Sequence, residues 1–159
     1  MKVQVRKANE NDVNTIVDFI RKLADYEKLT HECVVTPEIL KKSLFNSKSA
    51  AEVILLEEYS KPVAFALYFH NFSTFLGKQG LYLEDLFVEP ASRGRGYGKL
   101  LLKKLAEIAV ERDCGRLEWW VLDWNTPAIK FYKSLGAKPL AETSVFRIDG
   151  SALAQLAKI

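Results

Sequence analysis

The segment "SRGRGYGKLLLKKL", residues 92–105, constrains this chain more than any other stretch. It sets glycine at 94, 96 and 98 and arginine at 93 and 95, then runs straight into leucines at helical spacing. Just before it stands "LYLEDLFV", residues 81–88, rich in strand-forming residue types. A strand, a glycine loop and a helix in that order bring the unpaired N–H groups and positive dipole end of a helix beside backbone that lacks Cβ atoms. Such a corner binds phosphate. Two familiar phosphate loops fit badly. A P-loop needs Gly-x-x-x-x-Gly-Lys-Ser/Thr, but Arg93 stands at the first glycine position and Leu100 follows Lys99. A dinucleotide fingerprint needs Gly-x-Gly-x-x-Gly after the first strand, whereas Gly-x-Gly-x-Gly here follows an internal one. A turn that merely caps the helix is the plain alternative; each extra glycine makes it entropically costlier.

The remaining pattern mixes strands and helices. Residues 2–6 alternate as a strand. "NENDVNTIVDFIRKLADYEKL", residues 9–29, carries Val13, Ile16, Val17, Ile20, Leu23 and Ala24 on one helical face. Thr36-Pro37-Glu38 reads as a cap, a first-turn proline and a dipole-matched acid opening a second helix to about Phe45. "AEVILLEE" and "PVAFALYFHNF", separated by "YSKP", predict an antiparallel hairpin, and "LYLEDLFV" follows the turn signal "LGKQG". After the glycine helix come strand "RLEWWVL" (116–122), helix "TPAIKFYKSL" (126–135), strand "KPLAETSVFRI" (138–148) and a short helix from Ser151. This order predicts one α/β domain over residues 1–159, with a mixed, mostly antiparallel twisted sheet and helices on both faces.

Composition narrows the function classes. A chain of 159 residues with 48% apolar content suits one substantial core and one active site. Its 23 basic and 20 acidic residues are interspersed, which fits an anionic ligand and disfavours nucleic acid. Cys33 and Cys114 have no metal or redox spacing, and only His31 and His70 are available, so no metal site is expected. "MKVQVRKANENDV" has no leader pattern and no stretch reaches the roughly 20 apolar residues that span a bilayer, so the expectation is a cytoplasmic protein away from membranes.

"RGRGYG", read as Arg93-x-x-Gly96-x-Gly98, resembles the Arg/Gln-x-x-Gly-x-Gly/Ala pyrophosphate loop of the GNAT N-acetyltransferases. "WNTPAIKFYKSLGA", residues 124–137, is similar to that family's later segment, and "LADYEKL" and "YLED" resemble its diamine (spermidine/spermine) and thialysine branch. The resemblance implies acetyl-CoA as co-substrate, held in a cleft where the central strands splay. Leu86, Phe87 and Val88 would offer backbone to pantetheine. The N–H groups of Arg93, Gly94, Arg95, Gly96, Tyr97, Gly98 and Lys99 would hold the pyrophosphate, and Asn125, Thr126, Pro127 and Ala128 would complete the cleft. The Lys99 side chain could neutralise a further phosphate or simply be solvated. The acceptor implied is a small-molecule primary amine, and related enzymes are commonly homodimers.

Transfer from a thioester to an amine needs an uncharged nucleophile and a proton for the departing thiolate. With no Ser-His-Asp pattern, direct attack is expected. Tyr132 matches the family's proton donor to the coenzyme A sulfur, although Ile129, Tyr132 and Leu135 could equally form a core stripe. Glu84 matches the acid that relays the amine's proton through water. Strict alternation would put Tyr82, Glu84, Leu86 and Val88 on one face and Leu83, Asp85 and Phe87 on the other, so Glu84 is expected to be desolvated with a raised pKa. Tyr26 and Glu27 match a pair that helps hold a polyamine, though spacing alone makes Glu27 a solvated helix acid. Glu118, Trp119 and Trp120 supply an acid and aromatic faces suited to an ammonium, with at least one tryptophan expected in the core. "KPLAETSVFRIDG" is shorter than the branch pattern; Glu142 could replace a missing acidic contact. Rival readings are protein or peptide amine acetylation, a non-catalytic acyl-CoA-binding module, and, less compatible with one short copy abutting a helix, an arginine-glycine nucleic-acid segment.

Overall fold

Five strands form one open sheet in the order β1 (Val3–Lys7), β2 (Ala51–Glu58), β3 (Lys61–Ser73), β4 (Lys78–Val88), β5 (Leu117–Glu118). The first three neighbouring pairs are antiparallel and β5 joins β4 in parallel. The structure is a computed structural model that describes residues 2–158. Contacts divide the chain into two compact units, Met1–Trp120 and Val121–Ile159.

In the first unit, α1 (Val13–Tyr26) and α2 (Pro37–Leu44) cover one face of the sheet. Their start signals behave as the residue types predict. Asn9 and Asp12 form a reciprocal capping box on the short 3₁₀ turn before α1, and the Thr36 hydroxyl accepts from the Ile39 N–H at the start of α2. Val13, Ile16, Val17 and Phe19 of α1 pack with Leu40, Leu44, Val53, Leu55, Phe65 and Phe87, and the Phe19 ring lies 5.5 Å from Phe65 and 5.7 Å from Phe87. The other face takes α3 (Tyr97–Glu111), which buries Leu101, Leu105 and Ile108 against β2, β3 and β4. Arg6 ties β1, β2 and the start of α1 together. Its guanidinium donates to both Asp12 carboxylate oxygens at 2.8 Å and to Glu57 at 2.8 Å.

Strict alternation along β4 does not hold. Leu67 pairs with Asp85 and Tyr68 with Leu83, leaving Glu84 as the extra residue of a β-bulge. Directly opposed residues share a face. Tyr82, opposite Phe69, therefore faces the same side as Asp85, opposite Leu67, and Phe87, opposite Phe65. That side is the one α1 covers.

Two expected strands also fall short. Residues 116–122 pair only at Leu81–Leu117 and Tyr82–Glu118, ending two residues before Glu84 on β4. A bulge bends its strand and raises the local twist, and the β4–β5 pairing stops just before it. Among the described residues, no strand pairs with the outer side of β4 beyond Tyr82.

In the second unit, residues 138–148 form no strand: they are largely exposed, with a turn at Ala141–Glu142, and without a paired edge alternation alone makes no ladder. The same unit contains α4 (Thr126–Ser134), closed by Gly136 at φ 88°, and α5 (Gly150–Leu156).

Arg6 holds the Asp12 carboxyl below its usual value of 3.8, so this pair stabilises the fold above that pH and the contribution fades as pH falls through the lowered value. Asp12→Ala is expected to unfold about 2 kcal/mol more easily at pH 7 in a urea titration, with the difference shrinking as the medium is acidified below 3.8.

Candidate active site

The loop after β4 is built for an anion. Gly94 (φ 76°) and Gly96 (φ 80°) adopt the left-handed conformation that glycine tolerates best, and Gly98 lies in the first turn of α3, where an added Cβ would meet nothing within 4 Å. Among the described residues, the backbone N–H groups of Gly94, Arg95, Gly96, Tyr97, Gly98 and Lys99 donate to no protein acceptor. They sit at the start of a 15-residue helix, so unpaired donors and dipole act together. These residues fit a pyrophosphate. The loop's two arginine side chains are engaged elsewhere. Arg95 pairs with Glu58 at 2.9–3.0 Å, and Arg93 donates from Nε to the Val88 carbonyl at 2.9 Å while its guanidinium lies over the rings of Tyr26 and Phe87. Lys99 is exposed. On the open side of β4, Leu86 and Val88 are half-buried, whereas the Phe87 ring is in the core.

An acid group lies alongside. Asp85 is raised to about 7, first by burial and then by the charges of Glu84 and Glu27. Glu27, the residue after α1, is raised by burial and by Glu84. None of these three carboxylates has an ion-pair partner among the described residues. Glu84 itself is exposed at the bulge, so the desolvation expected of it falls on Asp85 instead. The bulge is the reason, because it turns Asp85 and not Glu84 onto the face under α1. Tyr26 is 41% exposed at the end of α1.

Glu118 is next to Tyr82 in register but is held by Arg116 at 2.9 Å and by the Asn71 amide at 3.5 Å. Trp119 is half-buried and Trp120 exposed, both past the end of the β5 ladder. Sequence reasoning missed Asp85, Tyr82 and Asn71. The adjacent acids of "ED" were a usable signal for the first, since one of two neighbouring strand residues must face inward.

In the second unit, Asn125 is buried before α4, with its side chain making no helix cap. Thr126 and Pro127 are exposed, Ala128 is half-buried, and the half-buried Tyr132 ring lies 5.6 Å from Phe131. Both cysteines are free; burial raises the Cys114 thiol, which disfavours the nucleophilic thiolate. No metal-ligating group and no helix long and apolar enough to cross a membrane occur among the described residues.

Comparison with known proteins agrees with this geometry. Residues 19–137 match the model of the acetyltransferase (GNAT) family. The chain is 37% identical to a thialysine N-epsilon-acetyltransferase of Bos taurus, over 98% of this chain and 97% of that protein. It is 33% identical to an L-ornithine N5-acetyltransferase of Arabidopsis thaliana, over 98% and 88%. An integron cassette protein from the mobile metagenome of V. cholerae superposes with a TM-score of 0.83 at 32% identity, covering 100% of this chain and 99% of that one. The chain therefore belongs to the GNAT acetyltransferase family and is an amine N-acetyltransferase.

An acid raised by burial costs the fold stability once it ionises. Relative to Asp85→Asn, the wild type should lose stability as pH climbs from 3.8 to about 7 and no further above that, by ~2–4 kcal/mol in total. Urea titrations at pH 4, 6 and 8 measure this, and a pH-independent difference would mean that ionised Asp85 is well solvated.

Proposed function

We propose that this enzyme moves the acetyl group of acetyl-CoA to a primary amine of a small cationic acceptor, such as a polyamine, thialysine or a lysine- or ornithine-like amino acid. The observation that carries this reading is the acid group Glu27, Glu84 and Asp85, which lacks counter-cations and borders the open edge of β4. Unpaired carboxylates in a partly desolvated position favour a cation brought in from water. Acceptors of the relatives, thialysine and ornithine, are cations of this size.

Bound acetyl-CoA would supply an activated acyl group, with its pyrophosphate on the N–H groups of Gly94–Lys99 and its pantetheine along Leu86–Val88. For Asn125 and the start of α4, a cofactor-binding role rests on the family resemblance alone. Glu84, exposed at the bulge, is suited to pass the amine's proton to water, since a solvated carboxylate beside the acceptor can exchange protons with bulk. Glu27, Asp85 and Tyr26 bind the acceptor's cationic end. Tyr132 donates the proton that the sulfur requires. Attack is direct, without an acyl-enzyme. Glu118, committed to Arg116 and Asn71, shapes the wall and contributes less charge. The enzyme is assigned to the cytoplasm and to a homodimer on family grounds.

A thiol-release assay with acetyl-CoA and a panel of polyamines, lysine analogues, aminoglycosides and peptides tests the acceptor class. Small diamines and diamino acids should lead; preference for peptides would replace the reading with protein acetylation, and binding without amine-dependent thiol release would make the chain a non-catalytic module. Glu84→Gln should lower kcat about 100-fold while the Kd for acetyl-CoA stays within twofold. Unchanged turnover would remove Glu84 from the mechanism.

A further inference from the structure

Arg93 belongs by its backbone to the donor loop and by its side chain to the acceptor side. It follows the short 3₁₀ turn Pro90–Ser92 that leaves β4. Its Nε is fixed by the Val88 carbonyl at 2.9 Å, and its guanidinium carbon lies 5.2 Å from the Tyr26 ring centre and 5.6 Å from that of Phe87. Phe87 in turn packs on Phe19 of α1 at 5.7 Å. The guanidinium thus extends an aromatic stack that begins in the core and ends on the last residue of α1. A second link runs in parallel, because Lys22, one turn before Tyr26, pairs with Glu89 just ahead of the loop. Glu27, which senses the charge of Glu84, directly follows Tyr26.

We propose that Arg93 is a positioning residue that couples the donor loop to the acceptor end of α1. Its flat cation holds Tyr26, and so places Glu27 beside Glu84 and Asp85, when the loop is in its anion-binding conformation. A guanidinium can do this while its edge stays free to donate to further acceptors, because the faces stack and the N–H groups radiate in plane. A lysine ammonium keeps the charge but not the flat face. The inference rests on the donor reading above only for the identity of the anion.

Two measurements on the full chain test it. The first needs no ligand. In urea unfolding, Arg93→Lys and Tyr26→Leu should each raise the unfolding equilibrium constant about two- to fivefold, the scale of an exposed cation–π contact. The double variant should be no worse than the weaker single variant, and Tyr26→Phe, which keeps the ring, should restore the coupling with Arg93. Effects that multiply independently would overturn the tether.

The second measurement uses coenzyme A as the probe and amide exchange of residues 23–29 as the readout. Saturating coenzyme A should slow that exchange about two- to fivefold in the wild type, and should leave it unchanged in Arg93→Lys at equal occupancy. Equal slowing in both proteins would overturn the coupling. Failure of the wild type to bind coenzyme A would strike down the donor reading and the coupling with it, whereas the tether would still be decided by the unfolding cycle alone.

Discussion

One additional residue in β4 sets which of its acids turns under α1. At Glu84 the antiparallel ladder with β3 slips by one, so everything after it in β4 changes faces relative to what precedes it. Asp85 consequently turns under α1, where burial and two neighbouring carboxylates keep its own carboxyl near neutrality. The pairing with β5 ends just before this bulge, at Tyr82 and Glu118. Ladder hydrogen bonds given up at the bulge become backbone groups available to a ligand, which is where bulges in functional sheets recur.

Charge is distributed to match. Many basic side chains are engaged with other carboxylates: Arg6 with Asp12 and Glu57, Arg112 with Glu52, Arg95 with Glu58, Lys22 with Asp18 and Glu89, and Arg116 with Glu118. The chain is net basic, at +3, yet among the described residues Glu27, Glu84 and Asp85 have no ion-pair partner. Long-range attraction for a cation is weak in such a protein, so recognition has to come from the local field of a few partly desolvated carboxylates. The anion side uses backbone donors in place of the two arginine side chains, which act as latches, Arg95 to β2 and Arg93 to β4 and α1.

Much of this was legible in the chain itself. Helix starts at Asn9–Asp12 and Thr36, the β2–β3 hairpin and the glycine corner rest on local rules: a side-chain oxygen near a free N–H, a turn between alternating runs, and glycine where φ must be positive. The run of unpaired backbone donors at the start of α3 was readable for the same reason, since it comes from consecutive residues. The segments that disagreed, 116–122 and 138–148, have strand-like alternation, but a strand exists only with a partner, and partnering is settled outside the segment.

The sequence by itself therefore determined the strand–loop–helix corner and its run of unpaired backbone donors, because those features span only a few residues. Tertiary structure alone decided which of Glu84 and Asp85 is buried, and that Arg93 reaches Tyr26 across 67 positions of chain. The first depends on the register between two strands and the second on how α1 lies over the sheet. Both are relations between distant segments, which no local period encodes.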